Sequence, residues 1–310
     1  VDLTDKNITD SQLQMIFAVC NPIIPAEAQI GLALRILCGF GIDEIAEAFL
    51  SNRETINKRL FRAKQKLRAE NIKIELPNEN EISKRLETVL TTLYLLFNEG
   101  YHSSTQNKHL RKELCLEAMR LAYFLIKNPS TNKPTVNALM ALMCFHSSRF
   151  DARTNEIGAP ILYDDQNKDL WNEELIEKGN FFLIESAKGH EISKYHLEAS
   201  IAYWHSSKIE NSKKWEHILE LYNQLLQIEY SPITALNRTY VLSKVFGKEK
   251  AVQEALKLDL KENHFYHSLL GKLYANFDNK KAINHFEIAY KLAKSNNDKM
   301  TIENQLKKLK

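Results

Sequence analysis

Apolar residues recur at intervals of three and four along nearly the whole of this chain, the spacing that lines one face of an α-helix. Near the start, Leu13, Ile16 and Phe17 form one stripe, with Asp10 as its cap and Asn21-Pro22 as its end. Pro25 fits the first turn of a second helix carrying Ile30, Leu34 and Leu37, and Gly39 is placed to stop it. DEIAEAF, residues 43–49, predicts a short third helix that turns Ile45, Ala46 and Phe49 inward. After Leu50-Ser51-Asn52 comes TINKRLFRAKQKLRAEN, residues 55–71, with Ile56, Leu60, Ala63 and Leu67 on a single helical face.

KIELPNENEI, residues 73–82, is polar and interrupted by Pro77, which predicts a boundary between domains 1–76 and 77–310. From Ser83 the helical pattern resumes and runs to the end. Its long irregular stretch is 147–174, where Gly158-Ala159-Pro160 breaks the period and Trp171 anchors the return to helix. An ordered loop packed across a surface is expected there. Further on, Leu236, Asn237 and Tyr240 recur 34 residues later as Leu270, Gly271 and Tyr274, the period of the tetratricopeptide (TPR) helix pair. Gly271, Tyr274, Ala282, Phe286 and Ala289 follow that motif in order, whereas Ala251 and Ala255 are offset by 31 residues, so the repeat is degenerate.

Composition agrees with helix throughout. The 310 residues are 44% apolar and 26% charged, as in soluble globular proteins, and nine glycines and seven prolines leave little material for β-turns. Cys20, Cys38, Cys115 and Cys144 are far apart among apolar neighbours, with no metal or redox spacing, which suits a reducing cytoplasm. The longest apolar run, residues 138–145, is too short to cross a bilayer, and no signal peptide opens the chain, so a soluble cytoplasmic protein is expected. The net charge of +3 is unevenly spread: Arg53 to Lys73 holds eight basic residues against two acidic, while residues 1–52 hold two basic against seven acidic. Positive charge is therefore focused on one helix, in the manner of a phosphate-binding footprint.

A short helix, a tight polar turn and a second helix opened by a capping residue make a helix-turn-helix pattern. Ala46 lets the two helices approach, and Ser51 or Asn52 caps the second. The expected fold is all-α: an N-terminal helix-turn-helix, then a large TPR-like domain of irregular helical hairpins with Tyr222, Leu225, Leu226 and Tyr290 in its core. The stretch PAEAQIGLALRILCGFGIDEIAEAFLSNRETINKRLFRAKQKLR resembles region 4 of an extracytoplasmic-function (ECF) RNA polymerase sigma factor of the sigma-70 family. LYLLFNEGYHSS, ELCLEAMRLAYFL, SSRFDAR, DDQNKDLW and SPITALNR resemble the long TPR-like C-terminal extension of one subgroup, although DDQNKDLW lacks an arginine that pattern carries. Nothing corresponds to the family's region 2, and the chain starts with Val1, so it reads as a fragment from which promoter melting is not expected.

The resemblance implies binding to the promoter −35 element and to core RNA polymerase through its β flap, with Leu32, Ile36 and Phe40 as flap contributors or, alternatively, core. Arg53, Arg59, Lys64, Lys66 and Arg68 are candidate phosphate contacts; Asn57, Lys58 and Arg62 are candidates for base edges, and Thr55 faces the same way. Asn98, Glu99 and Tyr101 form either a ligand or interdomain site or a helix C-terminus with Gly100 left-handed; a buried Glu99 needs a partner such as Arg120 or Arg149. His264 and His267 lack an obvious third ligand, so no metal or other cofactor is expected. No phosphate loop or nucleophile elbow supports an enzyme. The expected function is transcription initiation, regulated by the extension through contact between the two domains. The alternative is a protein-interaction scaffold or ligand-sensing regulator with a vestigial helix-turn-helix.

Overall fold

The helical spacing is realised in fifteen α-helices among the described residues of the computed structural model, which are 5–49, 51–102, 108–155, 160–208 and 212–309. Those residues form no strand, only an isolated antiparallel bridge between Thr154 and Pro160. The fold is all-α. None of the helices among these residues is long and apolar enough to cross a membrane.

The chain divides into two compact units. The first comprises Val1–Ser147 and Glu177–His190. It holds α1 (Asp5–Val19), α2 (Ala26–Ile36), α3 (Ile42–Ala48), α4 (Arg53–Ala69), α5 (Glu79–His102), α6 (Lys108–Lys127), nearly all of α7 (Pro134–Ser148) and the later turns of α8 (Glu173–Ser186). Helix α1 starts at Asp5, so Asp10 lies within it rather than capping it. The stop at Gly39 is as expected: its φ is +77°, and the Phe40 N–H turns back to the Leu34 carbonyl at 3.0 Å.

This grouping runs past the boundary expected at 76/77. Helix α5 buries Leu86, Val89, Leu93 and Leu96; it packs chiefly on α6, and α1 and α2 also lie against it. Polar ties fix that packing. The Thr92 hydroxyl donates to Gln29 Oε1 at 2.7 Å, and Arg85 donates to the Phe17 carbonyl. Arg120 of α6 donates to the Leu37 carbonyl at 2.9 Å. Each tie joins a residue before Pro77 to one after it, and buried hydrogen bonds contribute about 1 kcal/mol apiece.

Of the two alternatives for Asn98–Tyr101, the helix end at a left-handed Gly100 does not hold, because α5 continues through it to His102. Close packing is its reason instead. A Cβ at Gly100 would sit 2.6 Å from the Arg111 carbonyl oxygen and 2.8 Å from Cys115 Sγ, so only glycine lets α5 and α6 approach this closely. Helix α7 is buried on all sides from Val136 to Phe145, as its apolar run requires.

The second unit comprises Ser148–Ile176 and Glu191–Lys310. Its helices are α9 (Lys194–Ser206), α10 (Ser212–Ile228), α11 (Pro232–Phe246), α12 (Lys248–Lys257), α13 (His264–Tyr274), α14 (Asn279–Leu292) and α15 (Asn296–Lys307), and each packs on the next. Ala251, Ala255, Ala282 and Ala289 are wholly buried, small residues at which helix surfaces meet. The Phe286 ring lies against Gly271, where an added Cβ would come within 2.9 Å. The irregular stretch is ordered by 3-10 turns at Asp151–Arg153, Tyr163–Asp165 and Lys168–Leu170; Gly158 lies outside the described residues. Trp171 is buried as expected, and the Asn172 N–H donates to the Ser148 carbonyl at 2.8 Å, closing the segment.

All four cysteines are free. Burial pushes the thiols of Cys20, Cys38 and Cys144 up to about 12, which keeps them protonated and unreactive.

Candidate functional site

Helices α3 and α4 are joined by a short turn through Ser51 and Asn52. Glu44 accepts the Gly41 N–H at 2.5 Å at the head of α3, and the Asn52 side chain accepts the Thr55 N–H at 2.8 Å at the head of α4. Of the α4 stripe, Ile56, Leu60 and Ala63 are buried, whereas Leu67 is half-buried. Leu60 lies so near α2 that a Cβ on Gly31 would come 2.9 Å from its Cδ2. Helices α2 and α3 thus hold α4 by one face and leave its other faces outward.

The exposed residues of α4 divide into two faces because helical neighbours lie three or four apart. Thr55, Lys58, Arg59, Arg62 and Lys66 come together, with Pro25 and Ala28 of the α2 region, around a concavity of about 430 Å³. Lys64 does not join them. It lies on a separate groove of about 710 Å³ with Arg68, Lys73, Leu67, Ile72 and Ile74. Asn57 is exposed but lines neither concavity.

The ion pairs discriminate further. Arg53 pairs with Asp43 at 3.3 Å and Lys58 with Glu54 at 2.5 Å, all on well-exposed side chains, so these contacts contribute about 0–1 kcal/mol and break easily. Arg59 differs: it bonds Glu27 at 2.9 Å and lies over the Phe49 ring, with its side chain 28% exposed. It behaves as part of the packing between α2, α3 and α4. Among the described residues Arg62, Lys64 and Lys66 form no ion pair, so their charge is available to an anionic partner.

Leu32 and Phe40 are core, whereas Ile36 is 40% exposed and lines the larger groove. Sequence reasoning had set these three together and missed Phe61, an aromatic 61% exposed on the outward side of α4. Its position off the stripe of Ile56, Leu60 and Ala63 was the available signal.

Asn98 and Glu99 are half-buried, and Tyr101 is buried with its ring 4.5 Å from that of His146. Burial raises the Glu99 carboxyl above its ordinary range. Of the partners expected for it, Arg120 pairs with Glu117 at 2.7 Å, and the Arg149 guanidinium stands over the Tyr163 ring. His267 meets His285, with 3.0 Å between their Nδ1 atoms, and His264 lies 3.5 Å from Asp298. Among the described residues no group of three metal-ligating side chains is present.

A family model described as a family of unknown function, DUF6596, matches residues 85–187. That span takes in Asn98–Tyr101 and the segment around Tyr163. An uncharacterized protein of Rhizobium meliloti (strain 1021) is 34% identical over 274 residues, which cover 87% of this chain and 64% of that relative. The chain thus spans less than two thirds of the relative's length. No solved structure matches.

Proposed function

We infer that this chain is the region 4 and C-terminal extension of an ECF sigma factor, acting in the cytoplasm on the promoter −35 element and core RNA polymerase. One observation carries this reading: α4 is clamped by Ile56, Leu60 and Ala63, and the surface it leaves free is cationic, with Arg62 and Lys66 unpaired. A second helix held by its apolar stripe and preceded by a short helix is the helix-turn-helix arrangement, which presents the N-terminal half of α4 to a major groove. Lys58 and Arg62 then suit guanine edges, while Lys66 suits phosphate. The apolar groove containing Ile36 is the surface we assign to polymerase. The second unit, with its consecutively packed helices and its buried Ala282, Phe286 and Ala289, is read as the TPR-like extension that regulates activity.

The test is a salt titration of duplex binding. Affinity should fall steeply from low to physiological salt, because each neutralised phosphate releases counterion. Arg62→Ala and Asn57→Ala should each cost about 1–3 kcal/mol and relax preference at one base pair, whereas Lys66→Ala should weaken all duplexes alike. A flat salt response would instead favour an interaction scaffold with a vestigial helix-turn-helix.

A further inference from the structure

Residues 161–170 run over the second unit without forming an α-helix or strand, and three consecutive side chains reach different helices. The Tyr163 hydroxyl donates to the His205 carbonyl of α9 at 3.2 Å and accepts from Lys214 of α10 at 3.2 Å. Its ring lies edge-on to Trp215, and the Arg149 guanidinium stands over it. Asp164 takes three donors from two further helices. Tyr240 and Lys244 of α11 approach at 2.8 and 3.4 Å, and Lys272 of α13 at 3.1 Å. Asp165 meets Lys308 at 3.6 Å.

Asp164 thus lies between Lys244 and Lys272, and Asp165 beside Lys308, so each carboxylate is met by lysine from other elements. The aromatic groups are arranged with the cations: Lys272 lies 4.6 Å from the centre of the Tyr240 ring, and Lys244 lies over both Tyr240 and Trp215. Burial opposes ionisation of Asp164, yet the Tyr240 hydroxyl and the lysines outweigh it and hold the carboxyl below its ordinary range. At the same time Asp164, Lys244 and Lys272 keep 37%, 33% and 37% of their side-chain surface exposed. Solvent reaches the cluster, so these contacts can exchange.

We propose that α9, α10, α11 and α13 form a docking seat for an acidic peptide bearing a Tyr-Asp pair, and that Tyr163-Asp164-Asp165 occupies it in cis. The occupant committed to is a peptide segment of a partner with an aromatic residue beside a carboxylate. Covalent attachment gives the cis segment an effective concentration of about millimolar, so such a partner competes only when it binds well or when the strap is loosened. The inference concerns the second unit alone and stands apart from the DNA reading.

The experiment uses the full chain and a fluorescein-labelled peptide reproducing residues 160–171, followed by anisotropy. The Asp164→Asn variant should bind the peptide about tenfold or more tighter than the unaltered chain, since its own strap holds less firmly. Adding Lys244→Ala and Lys272→Ala to that variant should abolish the gain, and so should a peptide carrying Asp164→Asn. Equal binding by Asp164→Asn and the unaltered chain, or binding indifferent to both lysines, overturns the proposal. Should Asp164→Asn lose its helical circular dichroism, the unaltered chain decides. Amide exchange over residues 161–170 should accelerate severalfold in several millimolar peptide, and unchanged exchange there overturns the proposal equally.

Discussion

An alanine at Gly100 would drive its Cβ to 2.6 Å from the Arg111 carbonyl oxygen, and neither helix backbone can yield without opening the α5–α6 contact. Gly100→Ala should therefore cost about 1–3 kcal/mol, read as a lowered urea midpoint. Gly39→Ala meets no neighbour within 4 Å, and its penalty, about 1 kcal/mol, comes from the φ of +77° alone. Arg59 and Lys66 offer a second contrast, between two cations on one helix face. Arg59→Ala removes the Glu27 pair and the cover over Phe49 and should cost about 1 kcal/mol of stability. Lys66→Ala should stay within about 0.5 kcal/mol of stability and, on the function proposed above, show its effect in duplex binding only. Nothing in the run of basic residues separated these two roles, because the acidic partner of Arg59 lies 32 positions earlier, on α2. The role of Gly100 is hidden for the same reason: its crowding comes from α6, and from inside α5 it looks like any helix-ending glycine.

Helix α4 shows what was legible at the next scale. Its period of Ile56, Leu60 and Ala63 is a local property, and the structure buries those three residues. The cap was legible too, since an amide side chain before a helix has few other tasks: Asn52 accepts the Thr55 N–H. Asn52→Ala should cost about 1 kcal/mol and fray the first turn, measurable as faster amide exchange at Glu54 and Thr55. The division of the exposed side chains between two concavities follows from the same 3.6-residue turn, although the charge run obscured it. The start of α1 was less legible, because Asp10 resembles a cap while the helix begins at Asp5. The boundary at Pro77 was sought in a polar stretch, yet what decides the grouping is where the apolar face of α5 finds cover.

Across the whole molecule, acid should act mainly through histidines of the second unit. His205 Nδ1 is enclosed and has no hydrogen-bond partner, and burial, Arg149 and Lys214 lower its pKa to about 3. The folded state therefore stays neutral at this site while the unfolded chain takes up a proton below 6.5, so stability declines as pH falls from 6.5 toward 3. His285 acts in the same direction, because burial, His267 and Lys281 lower its pKa, and its Nδ1 faces that of His267. Asp164 adds a loss at still lower pH, as its stabilising charge disappears below the ordinary carboxylate range. Between pH 7 and pH 4 the loss should be about 3 kcal/mol, and His205→Asn should flatten that slope in pH-dependent urea unfolding. The two compact units also interleave along the backbone, which passes from one to the other at 147/148, 176/177 and 190/191. No single recombination crossover can carry either unit away whole without splitting the other. Heredity must therefore treat them as one cassette, and a gene encoding only the first 147 residues would inherit Phe145 without the Gly179 that lies against it.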